Sequence, residues 1–156
     1  MSPVGDIERI TQDRVITLFT KPDGLNYTYL GNWHDRPDNS NIEEGLLSNY
    51  LHENGYTQTL IKKAIYELKK VAGVQNKNLY GINKDVYTIL RYGAKVREDV
   101  GENTQTVRLI DWENPQNNHF AIAEEVSIKG ENRKRPDIVI YVNGIALGVL
   151  ELKRST

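Results

Sequence analysis

The sequence predicts an α+β fold in which amino-terminal helices pack on a central, mainly antiparallel mixed sheet of about five strands. Three observations predict it. Apolar residues recur at helical spacing up to Tyr92, with Gly55, Gly73 and Gly93 as stops. After Gly93 the pattern changes to alternating and β-branched runs. Asn143-Gly144 then joins the last two of these runs, a strong signal for a short hairpin. No internal repeat, low-complexity tract or linker interrupts the chain, so one domain is expected over 1–156, with 1–92 mainly helical and 93–156 forming the sheet.

Each element has a local cause. Ile7, Ile10, Val15, Leu18 and Phe19 give a first helix from Asp6 to Lys21, stopped by Pro22-Asp23-Gly24. Leu25 to Asn41 holds an aromatic, strand-like run and then a polar loop, and is expected to be irregular. Asn41 is placed to cap a helix with Ile42, Leu46, Leu47, Tyr50 and Leu51 on its apolar face and Glu43 and Glu44 in its first turn. Thr57 caps the next helix, whose apolar face is Leu60, Ile61, Ala64, Ile65, Leu68 and Val71. A shorter helix runs from Asn83 to Tyr92. Strands are expected over 94–99 and 104–112 as a hairpin, then over 119–128, 137–142 and 145–153.

Composition narrows the function classes. The chain has 156 residues, 38% hydrophobic and 26% charged, enough to bury a core without staples. The absence of Cys excludes disulfides and thiolate metal sites, and three scattered histidines, His34, His52 and His119, make a His-rich zinc centre a poor fit. No apolar run reaches the roughly 20 residues of a membrane span and no signal-peptide pattern opens the chain, so no membrane partner and a cytoplasmic location are expected.

The chemistry concentrates near the end. In 137–142 and 145–153 both faces are apolar, and against that background Asp137, Glu151 and Lys153 stand out. Two carboxylates converging from neighbouring strands suit a hard divalent cation such as Mg²⁺, and an adjacent ammonium can offset charge building on a phosphate. Parity decides whether they converge. With a regular two-residue turn at Asn143-Gly144, Asp137 would face Leu150, and Glu151 would lie on the opposite side of the sheet. A three-residue loop, Val142-Asn143-Gly144, or a bulge elsewhere of equal effect, puts both carboxylates on one face, and one or the other is the expectation. From Lys129 to Arg154 six basic residues stand against three acids. Lys129, Arg133, Lys134, Arg135 and Arg154 would therefore draw a phosphate backbone without reading its sequence. Plainer readings apply elsewhere. Lys62, Lys63, Lys69 and Lys70 solvate a helix face, Tyr27, Tyr29 and Trp33 belong to a core or interface, and the histidines lie on the surface. Glu43 and Glu44 favour the helix dipole, although a helix carboxylate could complete a metal site.

Pro136-Asp137 followed by Glu151-Leu152-Lys153 matches the PD-(D/E)xK nuclease signature. The ordered string from Leu109-Ile110-Asp111-Trp112-Glu113-Asn114-Pro115 through Asn117-Asn118-His119-Phe120 and Arg135-Pro136-Asp137 to Leu150-Glu151-Leu152-Lys153 resembles the amino-terminal domain of the R (restriction, motor) subunit of type I restriction-modification enzymes. The resemblance implies a restriction-endonuclease-like fold and a Mg²⁺-dependent endonuclease domain for double-stranded DNA. Asp137 and Glu151 would bind metal, and Lys153 would complete the catalytic set. It also implies partners: an ATP-driven motor in the same subunit, and methyltransferase and specificity subunits in the complex. The sequence has no phosphate-binding Gly-x-x-x-x-Gly-Lys-Ser/Thr loop and lacks the Gln-x-x-x-Tyr motif that follows the Glu-x-Lys strand in the family. It therefore reads as a fragment of a larger subunit, and ATP and S-adenosylmethionine, used by the full complex, are not expected to bind it. Two alternatives stay open: a non-catalytic module that docks DNA or another subunit, and a stand-alone nuclease with the same core.

Overall fold

A computed structural model describes residues 3–127 and 135–153. The chain divides into two compact units, one drawn from the segments up to Asn41 and from His119 onward, the other from Ile42–Asn118. The architecture is α+β, with helices, a mixed four-stranded sheet and a small two-stranded sheet.

The first unit contains helix α1 (Pro3–Thr20) and strands β1 (Thr28–Asn32), β4 (Phe120–Glu124), β5 (Ile138–Val142) and β6 (Ile145–Leu150). Their order is β1-β4-β5-β6, with β1 parallel to β4 and the other pairs antiparallel. The run expected to be irregular thus supplies a strand, because its partner β4 lies far along the chain and local pattern cannot reveal it. Trp33 packs with Ala121, Ala123, Val126, Val139 and Tyr141 on one side of the sheet, its ring 5.6 Å from that of Tyr141. This agrees with a core role for Trp33. Tyr27 fills the space between Phe19 of α1 and Phe120 of β4, with ring centroids 5.2 and 5.1 Å away. Helix α1 therefore covers the side of the sheet that carries Phe120. It does so with a different face from the one expected: Gln12 is buried, Val15, Ile16 and Phe19 are partly covered, and Ile7, Ile10 and Leu18 face solvent. The reason is Gln12 itself, which enters the core as a hydrogen-bond partner.

The second unit contains α2 (Glu44–Glu53), α3 (Gln58–Ala72), α4 (Leu79–Tyr92), β2 (Ala94–Val96) and β3 (Gln105–Val107). Thr57 caps α3 as expected, its hydroxyl accepting the Leu60 N–H at 3.3 Å, and Leu60, Ile61, Ala64, Ile65 and Leu68 are buried. Asn41 does not cap α2: Glu43 occupies that position without a side-chain cap bond, and the Asn41 carbonyl instead accepts the Ala146 N–H at 2.8 Å in the sheet unit. Helix α4 begins earlier than its apolar period suggested, because Asn78 caps it by accepting the Gly81 N–H at 2.8 Å. The 94–107 hairpin forms its own two-stranded sheet rather than joining the central one. No helix among the described residues is long and apolar enough to cross a membrane.

Candidate active site

The β5–β6 hairpin turns in two residues, not three. Val142 pairs with Ile145, and Asn143 and Gly144 between them both take positive φ, 51° and 82°, the conformation that a tight primed turn requires. Asn143 tolerates it because its backbone and side chain are engaged: the His119 N–H donates to Asn143 Oδ1 at 2.7 Å and the Asn143 N–H donates to the His119 carbonyl at 2.8 Å.

Parity is restored further along. Tyr141 pairs with Ala146 but Ile140 pairs with Gly148, so Leu147 is an extra residue on β6. This bulge has the effect of the expected longer loop. A Cβ at Gly148 would lie 3.3 Å from Ile140 Cβ and Cδ1, a tight contact that glycine avoids where the strand beside the bulge passes β5. The ladder ends at Ile138 opposite Leu150, and one further step in that register leads to Asp137 on one strand and Glu151 on the other. The ends are also tied, since the Leu152 N–H donates to Asp137 Oδ2 at 2.6 Å. Asp137 is partly buried, while Glu151 and Lys153 are exposed.

An all-oxygen pair of carboxylates fits a hard cation and not a soft one. Among the described residues no three His, Asp or Glu side chains converge on a common metal position. Two protein carboxylates suffice for a Mg²⁺ ion, which keeps several waters and substrate oxygens in its shell. Glu43 and Glu44 belong to the other unit, where Glu44 pairs with Lys69.

Of the five basic residues expected to meet DNA, Lys129, Arg133, Lys134 and Arg154 lie outside the described residues. Arg135 is committed locally, its Nε 2.6 Å from Glu125 Oε2 and a terminal nitrogen 2.6 Å from His34 Nδ1. Glu125 takes a positive φ of 52° and its N–H donates to the Asp137 carbonyl at 3.0 Å. The segment before Asp137 is thus held on the end of β4.

Glu124 is the residue that sequence reasoning missed. It ends an apolar strand yet is only 1% exposed. Its carboxylate accepts from Gln12 Nε2 at 2.9 Å and from the Tyr29 hydroxyl, and lies 3.3 Å from Arg9. Register sets Glu124 opposite Ile138, so it alternates away from the Asp137 face and belongs to the α1 side. The available signal was a lone acid closing the pattern Phe120-Ala121-Ile122-Ala123 where an inward residue is due. Burial, then the hydrogen bond to Glu124 and its negative charge, push the Tyr29 phenol up to about 12 from 10.0. The folded state thus favours the protonated phenol, and the stabilisation is complete below pH 10 and lost as pH rises through 12. A phenolate absorption titration of the folded chain is expected to include a late step from Tyr29, and Tyr29→Phe to lower the late-ionising amplitude by one phenol. An unchanged titration in the variant would contradict the arrangement.

The family described as type I restriction enzyme R protein N terminus matches residues 8–156. Two relatives from Methanocaldococcus jannaschii are assigned as type I restriction enzyme endonuclease subunits. MjaIXP is 34% identical over 96 residues, covering 58% of this chain and 9% of that protein. MjaVIIIP is 31% identical over 114 residues, covering 73% and 11%. The type I restriction enzyme HindI endonuclease subunit of Haemophilus influenzae is 35% identical over 75 residues, covering 46% and 7%. The chain spans about a tenth of the length of these curated relatives. No solved structure matches it significantly.

Proposed function

The chain belongs to the family of type I restriction enzyme R protein N termini, and from that premise we propose that it is a Mg²⁺-dependent endonuclease domain that hydrolyses phosphodiester bonds of double-stranded DNA. The observation that supports the reading is the Leu147 bulge, after which Ile138 lies opposite Leu150, the register that would bring the next residues, Asp137 and Glu151, to one face. Bulges recur beside active sites because they re-aim a side chain.

Asp137 and Glu151 are the residues that would hold the cation, and the bound cation would supply polarisation of a phosphoryl oxygen and a water of lowered pKa. The Leu152 N–H fixes one Asp137 oxygen, which limits how the carboxylate can turn. Lys153, two residues beyond Glu151 and exposed, is free to approach a phosphate and offset its charge. Lys129, Arg133, Lys134 and Arg154 would add a non-specific pull on the backbone, to which Arg135, paired with Glu125, would contribute less. The names of the relatives as endonuclease subunits support this class of activity. By the same kinship, the domain would act in the cytoplasm within a subunit that joins methyltransferase and specificity subunits, which would recognise the target.

Titration calorimetry of Mn²⁺ into the folded chain tests the site directly. Binding is expected, and it is expected to disappear in Asp137→Ala and in Glu151→Ala with the far-ultraviolet spectrum unchanged. Binding that survives both substitutions, or none in the unaltered chain, would favour a non-catalytic docking module.

A further inference from the structure

The helical unit holds a cavity of about 470 Å³ that the nuclease reading does not use. It lies where the end of α4 meets the Asp111–Asn114 loop, and its volume is in the range of small-ligand sites. Two aromatic side chains at its edge are unusually open: Trp112 is 44% exposed and Tyr92 60%. Arg91 and Arg108 line it too, and neither makes an ion pair within 4 Å among the described residues. The Arg91 guanidinium lies 5.4 Å from the Trp112 ring.

The indole is exposed but not loose. Its Nε1 donates to the Leu90 carbonyl at 2.8 Å, which ties the ring to the last turn of α4. The loop beneath it is pinned: Asp111 accepts the N–H groups of Glu113 and Asn114 at 3.1 and 2.8 Å and the Asn117 amide at 2.9 Å. The buried Asn118 exchanges bonds with Asp111, accepting its N–H and donating to its carbonyl, both at 2.8 Å. An indole held in place by its edge, with the Arg91 guanidinium over its ring and Arg108 elsewhere in the same lining, has the elements that bind an unpaired nucleotide: an aromatic surface for stacking and cationic partners for phosphate. Holding these groups in advance reduces the ordering cost of binding.

We propose that this cavity is a subsite for single-stranded DNA, with a base stacked on Trp112 and neighbouring phosphates met by Arg91 and Arg108. The choice of DNA rests on the nuclease reading, whereas the cavity and its chemistry do not. Arg91 and Arg108 are balanced by Asp111 and Glu113 in the lining, so stacking rather than net charge dominates, and the affinity falls only shallowly with salt.

Each unit carries one tryptophan, and Trp33 is buried, so quenching by a stacked base reports on Trp112. An eight-residue oligothymidylate is titrated into the full chain in EDTA, followed by tryptophan emission and by anisotropy of a fluorescein-labelled copy. Saturable quenching is expected. Trp112→Ala is expected to weaken binding by about tenfold or more, and the Arg91→Gln, Arg108→Gln double variant to weaken it as well. If Trp112→Ala fails to fold, the double variant at exposed positions decides. Asp137→Ala is expected to bind the oligonucleotide normally, so loss of metal binding with retained oligonucleotide binding would separate the two sites. Absence of saturable quenching, or folded variants that bind as the parent does, overturns the proposal. Thymidine monophosphate binding as tightly as the oligonucleotide would assign the cavity to a free nucleotide and overturn the strand assignment.

Discussion

Insertion of one Ala between Leu150 and Glu151 is expected to abolish Mn²⁺ binding while leaving the β5–β6 hairpin paired. The ladder up to Ile138 and Leu150 is unchanged, the inserted residue takes the place across from Asp137, and Glu151 passes to the other face. The insertion lies beyond the last ladder pair, so the sheet should remain. Deletion of Leu147 supplies the control, because it removes the bulge yet keeps Ile138 opposite Leu150, and it should bind the cation as the parent does; Leu147 is 46% exposed, so its loss removes little core contact. Calorimetry on both, with far-ultraviolet dichroism to verify folding, reads the result. Equal binding by the insertion and the deletion variant would mean that the carboxylates do not act as a pair.

The largest stability effect is expected at Glu124. Glu124→Ala leaves Gln12 and the Tyr29 hydroxyl without their acceptor and Arg9 with Asp13 as its remaining ion-pair partner. Unsatisfied buried polar groups and a broken ion pair together suggest a loss of about 2–4 kcal/mol, with Arg9 discounted because it is half exposed. Glu124→Gln retains an acceptor oxygen of the same shape and should lose less. Urea unfolding at constant m would show the difference as a lowered midpoint. A shift within the scatter of surface substitutions would show that the donors find solvent instead.

The residues that could be read from the sequence are those whose causes are local. Thr57 capping α3 and the Asn143-Gly144 turn follow from residue chemistry within a few positions. The need for an odd residue between Asp137 and Glu151 was also legible, since alternation is simple arithmetic. Its location was not, because the bulge is settled by the close approach of Gly148 to Ile140 across the sheet. The glycine inside an apolar strand was the available hint. Glu124 escaped for the same kind of reason: its partners Gln12 and Tyr29 lie 112 and 95 residues away in sequence. An acid at the end of an apolar run reads as solvated until those partners are known. Helix α1 was misread as a consequence, its buried side being organised around a glutamine rather than its most apolar stripe.

The continuous helical unit interrupts the sheet unit in sequence, and this bears on how the molecule folds. The parallel β1–β4 pairing sets Thr28 beside Ala121, with the whole of Ile42–Asn118 between them in sequence. Closing so long a loop costs chain entropy before any ladder bond repays it. The intervening unit contains three helices and a hairpin, built from contacts of shorter range. The helical unit is therefore expected to fold first, as an internal clasp, and a substitution that destabilises it is expected to slow, in stopped-flow refolding, the assembly of a sheet it does not belong to.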